Sequence, residues 1–237
     1  LSSSRMFPFI TKTWNPVVGC KHGCTYCWAR KLAEGKLKET KRYKHGFLPM
    51  FWPEELSKSF KSNDFVFVSD MGDLCGDWWN IEVIEEIFNI ISAFPETNFL
   101  LLTKNPKRYL VQQLYRIIPR NCVLGCTIES DQNFPSLSKA PSQFDRIFWM
   151  TELAKVMDIV KSHRLFIAIE PILDFNLDGF SNVVGNWIKP WAVAVGYDNY
   201  DNKLPEPCLA KTMQLIDRLE KAEIRVYRKS LREAWNE

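Results

Sequence analysis

The sequence predicts an α/β protein, a partial (β/α)6 barrel of mostly parallel strands, with a doubly wound open sheet as the alternative arrangement. Two observations carry this expectation. Short apolar runs bounded by turn residues alternate with longer amphipathic stretches along the 237 residues, the pattern of repeated βα units. The apolar runs also end in hydroxyl or charged residues, and both architectures gather ligands at the carboxyl ends of their strands.

A first strand around Phe9–Trp14 delivers a cysteine-bearing loop, and WARKLAEGKL after it reads as a helix. FLPMFWP, from Phe47 to Pro53, is a proline-broken loop, and Glu54 to Phe60 a short helical turn. FVFVSD, Phe65 to Asp70, is β-branched and aromatic, as a strand buried on both faces should be. The helix Ile81 to Phe94 repeats apolar residues at Ile81, Ile84, Ile87, Phe88 and Ile91 on one face. NFLLLTK, Asn98 to Lys104, is the third strand, and Pro106 opens the helix KRYLVQQLYRII.

CVLGCTIES, Cys122 to Ser130, is the fourth strand; Cys122 and Cys126 share a face of it and read as small buried thiols rather than ligands. A Pro- and Ser-rich loop, Asp131 to Pro141, leads to a mostly helical region from Phe144 to Lys161. RLFIAIEPIL (Arg164–Leu173) and WAVAVGY (Trp191–Tyr197) are strands five and six, and Leu209, Met213, Ile216 and Leu219 mark a helix over Cys208–Lys221. IRVYRKS, Ile224 to Ser230, is a short seventh strand. The whole of residues 1–237 reads as one domain, with its core over about residues 9–230.

Composition bounds the function. With 46% hydrophobic and 25% charged residues the chain is ordinary for a globular protein. No apolar run could span a bilayer, and LSSSRMFPFI lacks a signal-peptide core, so a cytoplasmic location and no membrane contact are expected. The net charge of +3 announces no nucleic-acid binder. Between Lys21 and Lys61, however, ten Lys and Arg face four Asp and Glu, including the run KLKETKRYKH from Lys36 to His45. That segment could bind phosphates, although a solvated basic helix and loop is the plainer reading.

The stretch TWNPVVGCKHGCTYCWAR, Thr13 to Arg30, carries the chemistry. Cys20, Cys24 and Cys27 form C-x3-C-x2-C, with Tyr26 before the last and Gly19 and Gly23 before the first two. A short loop of this kind lets thiolates wrap an iron–sulfur cubane while glycines admit backbone amides to the sulfurs. Three ligands for four irons leave one iron open to a small molecule. Structural zinc as Cys3His, with His22 or His45, is the alternative, in which the chain is a zinc-stabilised nucleic-acid-binding module. The second Cys/His knuckle that such sites usually carry is missing, and seven cysteines in a chain of this length make no disulfide framework.

The cysteine pattern resembles the C-x3-C-x-aromatic-C signature of the radical S-adenosylmethionine (SAM) enzymes. That resemblance implies a [4Fe-4S] cluster on Cys20, Cys24 and Cys27, SAM chelated by the open iron, and reductive cleavage to a 5′-deoxyadenosyl radical. It also implies a partial barrel of radical SAM type and a flavodoxin or ferredoxin as electron donor. The strand ends offer Ser69, Asp70 and Asp73, Thr103 and Lys104, Thr127 and Glu129, Glu170, and Tyr197 with Asp198. Ser69 and Asp70 stand where the SAM ammonium would be met. Glu129 and Glu170 could receive the ribose hydroxyls, and backbone near Gly196 could line the adenine. For each carboxylate a loop salt bridge is the plain alternative.

Read together, WNPVVGC, VSDMGDLCG, LLTKNPKR, GCTIES, IAIEPIL, WAVAVG and VYRKS are similar, in this order, to the blocks of the phage Gp37/Gp68-like family, also called DUF5131. The similarity runs from about Thr13 to Ser230 and places Trp14, Asn15, Pro16, Asp73, Lys104, Arg108, Glu129, Glu170, Pro171 and Lys229 on family motif positions. Gly196-Tyr197-Asp198-Asn199 departs from the glycine pair and Glu-Ser usual there, and Cys75 replaces a bulky apolar residue. A member that keeps the cluster without turning SAM over is therefore a further alternative. Lys104, Arg108 and Lys229 are the candidates for gripping an anionic substrate, a nucleotide or nucleic acid, with ordinary surface cations as the plain alternative.

Overall fold

The structure, a computed structural model, describes residues 6–111, 114–160 and 162–235. Residues 1–5 of the amino-terminal stretch, Gln112 and Gln113 of the third expected helix and Lys161 at the expected end of the next lie outside the described residues.

The first part of the chain forms β1 (Lys12–Trp14), β2 (Val17–Val18), α1 (Trp28–Glu34), β3 (Met50–Phe51), a 3-10 turn over Pro53–Ser57, β4 (Phe65–Val68), α2 (Ile81–Ser92) and β5 (Asn98–Thr103). Next come α3 (Lys107–Val111), a 3-10 turn over Leu114–Arg116, β6 (Cys122–Thr127), α4 (Gln143–Val160) and β7 (Arg164–Ile169). α5 (Leu177–Asn182), a π-helix over Val183–Ile188, β8 (Ala192–Val195), α6 (Leu209–Lys221) and β9 (Arg225–Arg228) complete it.

Seven strands make one parallel sheet in the order β1-β4-β5-β6-β7-β8-β9. β1 and β9 are its edges, so the barrel is open. A separate antiparallel pair, β2 with β3, couples Val18 to Met50. The loop expected over Phe47–Pro53 therefore contains a strand, and the short strand expected near Ile224 is the seventh of the sheet.

Side-chain alternation decides between a partial barrel and a doubly wound sheet. Val66, Val68, Leu101, Leu124, Ile167, Ile169, Val193 and Val195 face one way, into the core that holds Ile84, Ile87, Phe88 and Ile91 of α2, Met150, Leu153 and Met157 of α4, and Leu215, Ile216 and Leu219 of α6. Phe67, Leu100, Val123, Phe166, Ala168, Ala192 and Ala194 face the other way and meet Phe7 and Ile10 of the amino-terminal segment. Among the described residues the buried side chains of α2, α4 and α6 thus sit on one and the same face, whereas a doubly wound sheet needs helices on both. The second face is the concave interior of a half-barrel, stoppered by aromatic packing such as Phe7 on Phe166 with ring centroids 5.0 Å apart.

Helix starts follow local chemistry. Asn80 caps α2 by accepting from the Val83 amide, and Asn176 caps α5 through Gly179. The helix expected from Lys107 to Ile118 is instead the short α3 and a 3-10 turn. Nothing in the local pattern predicts α5 or the π-helix, since Leu177–Ile188 carries Gly179, Gly185 and two asparagines, a poor helical composition. No helix among the described residues is long and apolar enough to cross a membrane.

Candidate functional site

The carboxyl ends of the strands open into a cavity of about 490 Å³. Cys20, Cys24, Cys27 and Tyr26 line one wall; Asp70, Asp73, Thr103, Lys104, Thr127, Glu170, Pro171, Tyr197, Asp198 and Lys229 line the rest. The polar strand ends read from the sequence are thereby largely brought to one place.

Backbone geometry fixes the cysteine loop. Gly19 has φ +79° and donates to the Met71 carbonyl at 2.8 Å, which ties the loop to the end of β4. A Cβ there would lie 2.1 Å from the Leu48 carbonyl oxygen, so only glycine fits. The His22 amide donates to the Cys20 sulfur and the Arg30 amide to the Cys27 sulfur, each at 3.4 Å. Cys27 is the N-cap of α1, so that helix begins at a prospective ligand. Cys24 Sγ lies 3.1 Å from Ser138 Oγ, in the loop before α4.

All three thiols are free of disulfides. Burial, with Asp73 nearby, holds the Cys20 thiol well above its ordinary range, and burial raises Cys27. Ligation by these thiols requires that a bound cation draw off their protons. Among the described residues no group of three or more His, Cys, Asp and Glu side chains is placed to hold a single metal ion. His22 is engaged elsewhere, its Nε2 3.0 Å from Asp73 Oδ2, and His45 is exposed and outside the cavity wall. The donor set is three soft thiols on one wall, two of them receiving backbone N–H bonds, and these residues fit a thiolate-bound cluster.

Two buried polar networks flank the thiols. Asp73 accepts from Thr103 Oγ1 at 2.7 Å, from the Lys104 amide at 3.0 Å and from the Cys75 amide at 3.0 Å, besides its contact with His22. Burial would raise its carboxyl, but these bonds, led by His22, hold it below the ordinary carboxylate range. Glu129 is fully buried and accepts from Tyr26 Oη at 2.6 Å, from Arg146 Nη1 at 2.7 Å and from Lys104 Nζ. Burial opposes its ionisation, yet Arg146 and then Lys104 bring its pKa down to about 2. Lys104 also donates to Tyr26 Oη at 2.7 Å and lies 4.6 Å from the centre of that ring.

On the opposite wall Lys229 Nζ donates to both oxygens of Glu170, at 2.7 and 2.6 Å. Burial raises the Glu170 carboxyl, with Lys229 opposing the rise. The Glu170–Pro171 peptide is cis. Asp70 receives Asn15 Nδ2 at 2.6 Å and its carboxyl is raised by burial.

Other expected residues stand back from the cavity wall. Ser69 is buried with no partner for its hydroxyl among the described residues and has φ +58°. Arg108 is buried behind the wall, where it donates to the carbonyls of Gly76 and Trp79. Glu129 lies beneath the wall, and Gly196 lies where a Cβ would be 3.0 Å from Lys229 Cβ and 3.4 Å from Glu170 Oε1. His22, Arg146 and the rim residues Asn199 and Tyr200 were not assigned site roles of this kind from the sequence. For His22 the signal was its place between two cysteines; an arginine inside a helix gives none.

Comparison with known proteins adds three findings. The sequence matches the family described as "Protein of unknown function (DUF5131)" over residues 5–188. No curated protein matches it. The fold is similar to solved structures of spore photoproduct lyase, a radical SAM enzyme. A cysteine-to-serine mutant of that lyase superposes with a TM-score of 0.60 at 10% identity, over 97% of this chain and 79% of the other. A mutant with bound AdoMet and dinucleoside spore photoproduct gives 0.55 at 9% identity, over 93% and 63%. The lyase complexed with dinucleoside spore photoproduct gives 0.57 at 10%, over 88% and 61%. This chain thus spans less than two thirds of the length of the latter two. At such identity the likeness shows the fold, a partial barrel of radical SAM type.

Proposed function

The chain belongs to the DUF5131 family, and from that premise we propose that it is a single-domain radical SAM enzyme acting on a nucleotide or nucleic acid. The observation that carries the reading is the placement of Cys20, Cys24 and Cys27 on one wall of the cavity at the carboxyl end of a half-barrel. When bound there, a [4Fe-4S] cluster and SAM supply reductive cleavage of the sulfonium and a 5′-deoxyadenosyl radical for hydrogen abstraction.

The protein's own groups orient and enclose. Cys20, Cys24 and Cys27 hold the cluster, and the amides of His22 and Arg30 steady two of the sulfurs. Asp70, with Ser69 behind it, accepts from the methionyl ammonium. Glu170 takes ribose hydroxyls across the cavity, and the backbone beside Gly196 flanks the base. Glu129 fixes Tyr26 and Lys104 against the cysteine loop, and Asp73 fixes His22 beside it. Lys104 and Lys229 present the cationic groups of the wall to an anionic substrate, while Arg108 secures the loop after β4. A flavodoxin or ferredoxin delivers the electron in the cytoplasm, where thiols stay reduced. The dinucleoside bound by the structural neighbours supports the substrate class.

The test is anaerobic reconstitution with iron and sulfide, then reduction with SAM while 5′-deoxyadenosine is followed by mass spectrometry. About four irons per chain together with 5′-deoxyadenosine, both lost in Cys24→Ala, is the expected result. One tightly held zinc and no product would overturn it.

A further inference from the structure

A second concavity lies at the other end of the sheet. Arg164 begins β7 and Arg120 precedes β6, so both mark the amino ends of strands, away from the cysteine cavity. With the last turns of α4 and with the π-helix they enclose a groove of about 670 Å³.

Its lining is basic and aromatic. Among the described residues Arg120, Lys155, Arg164 and Lys189 stand in it against one acid, Asp158. Lys155 is paired with Glu152, and Arg164 donates to Asn98 and covers the ring of Trp191 at 4.9 Å. Arg120 and Lys189 make no side-chain hydrogen bond or ion pair among the described residues. Uncommitted cations facing one concavity are a phosphate-binding arrangement.

The backbone singles out the same place. Val183–Ile188 is a π-helix, a form concentrated at functional sites. It ends in Lys189 at φ 47° and ψ 57°, a left-handed conformation that a side-chain-bearing residue adopts at a cost. This turn leaves Trp187 55% exposed, and its indole stacks on no ring or cation among the described residues. Trp191, in contrast, is already covered by Arg164 and by Arg225 at 5.8 Å. An exposed indole beside free cations offers a stacking platform next to phosphate contacts, the pairing that binds nucleotides without sequence preference. A simple anion would leave the indole unused, and an apolar partner would bury the cations unpaired.

We propose that this groove binds a nucleotide unit, with the base on Trp187 and the phosphate between Arg120 and Lys189, presented either by a free nucleotide or by a single strand. The site is separate from the cysteine cavity, and its test does not depend on the reaction proposed there.

The experiment titrates a fluorescein-labelled single-stranded oligodeoxynucleotide into the full chain and reads anisotropy over a range of salt. Trp187→Ala and the double variant Arg120→Ala/Lys189→Ala change exposed side chains, and thermal melting confirms that they fold. Each is expected to weaken binding by about tenfold or more, and the double variant, which releases the one phosphate held between these cations, should reduce the log–log salt slope by about 0.7. Lys36→Ala/Lys44→Ala, in the basic segment near the cysteine loop, should leave binding unchanged. Competition by adenosine monophosphate would identify a free nucleotide as sufficient ligand; its failure, with the oligonucleotide still sensitive to Trp187, would identify a strand. No binding, binding indifferent to both groove variants, or polyglutamate bound as tightly and with equal sensitivity to Trp187→Ala would overturn the proposal.

Discussion

Arg146 and Glu129 form a charge pair with side-chain exposures of 1% and 0%. Removing one member of such a pair leaves the other charged and buried, so Arg146→Met should destabilise the fold by about 3–5 kcal/mol. Adding Glu129→Gln should recover part of that loss, because it removes the buried carboxylate that Lys104 alone is then left to balance. Urea unfolding of the parent and the two variants decides the matter, and an unchanged midpoint in Arg146→Met would refute the coupling. Glu129 also sets a pH dependence. Its pKa falls from 4.5 in the unfolded reference to about 2 in the fold, so the unfolded chain binds the extra proton between those values. Stability contributed by Glu129 is therefore complete above about pH 4.5 and is lost as pH falls toward 2, on the order of 3 kcal/mol in all. The slope of stability against pH in that window should be shallower in Glu129→Gln than in the parent. Cys20, Tyr26, Asp73, Lys104 and Glu170 were legible because each sits in a motif or just past an apolar run. Arg146 was not, since an arginine on a helix ordinarily reads as solvated and only its contact with Glu129 reveals otherwise.

The cysteine loop is an element held by its glycines and by neighbours distant in sequence. Gly19→Ala would place a methyl 2.1 Å from the Leu48 carbonyl at φ +79°, so the loop must shift. We expect a loss of about 1–3 kcal/mol or more, read as a lower melting temperature, together with poor iron incorporation in reconstitution. A variant as stable as the parent would show that the segment at Leu48 yields freely. α2 answers to burial instead: Ile87 is 0% exposed, and Ile87→Ala should cost about 2–5 kcal/mol by chemical denaturation. The 3.6-residue apolar repeat made α2 legible, and continuous apolar runs did the same for β4 to β8. α4 was placed nearly correctly although it buries Gln143 and Arg146 and exposes Phe144, Phe148 and Ile159. The two-residue strands β2 and β3 carry too little pattern to be seen, because their pairing joins residues more than thirty apart.

At the scale of the molecule, the proposed cluster would tie the loop after β2 to the start of α1 through one set of ligands, Cys20, Cys24 and Cys27. A group that binds the folded chain and not the unfolded one raises stability by mass action. The reconstituted protein should therefore melt above the apoprotein, by several degrees for each ~1 to 2 kcal/mol gained. Cys24→Ala taken through the same treatment should show no increment. Equal melting temperatures for loaded and apo parent would argue that the thiols do not share a common group.

The sequence by itself determined the periodicities: which runs are strands and which are helices, that the strands are buried on both faces, and that three thiols and a row of polar strand ends belong to one side. These are local facts, fixed by the spacing of apolar side chains and by turn residues. Only the tertiary structure decided what covers each face of the sheet. The period-two alternation through Val66, Phe67 and Val68 is the same whether the second face meets helices or the amino-terminal Phe7 and Ile10. The choice rests on packing between residues far apart in the chain, and so does the burial of Arg146 against Glu129. Contact across such distances leaves no period in the sequence.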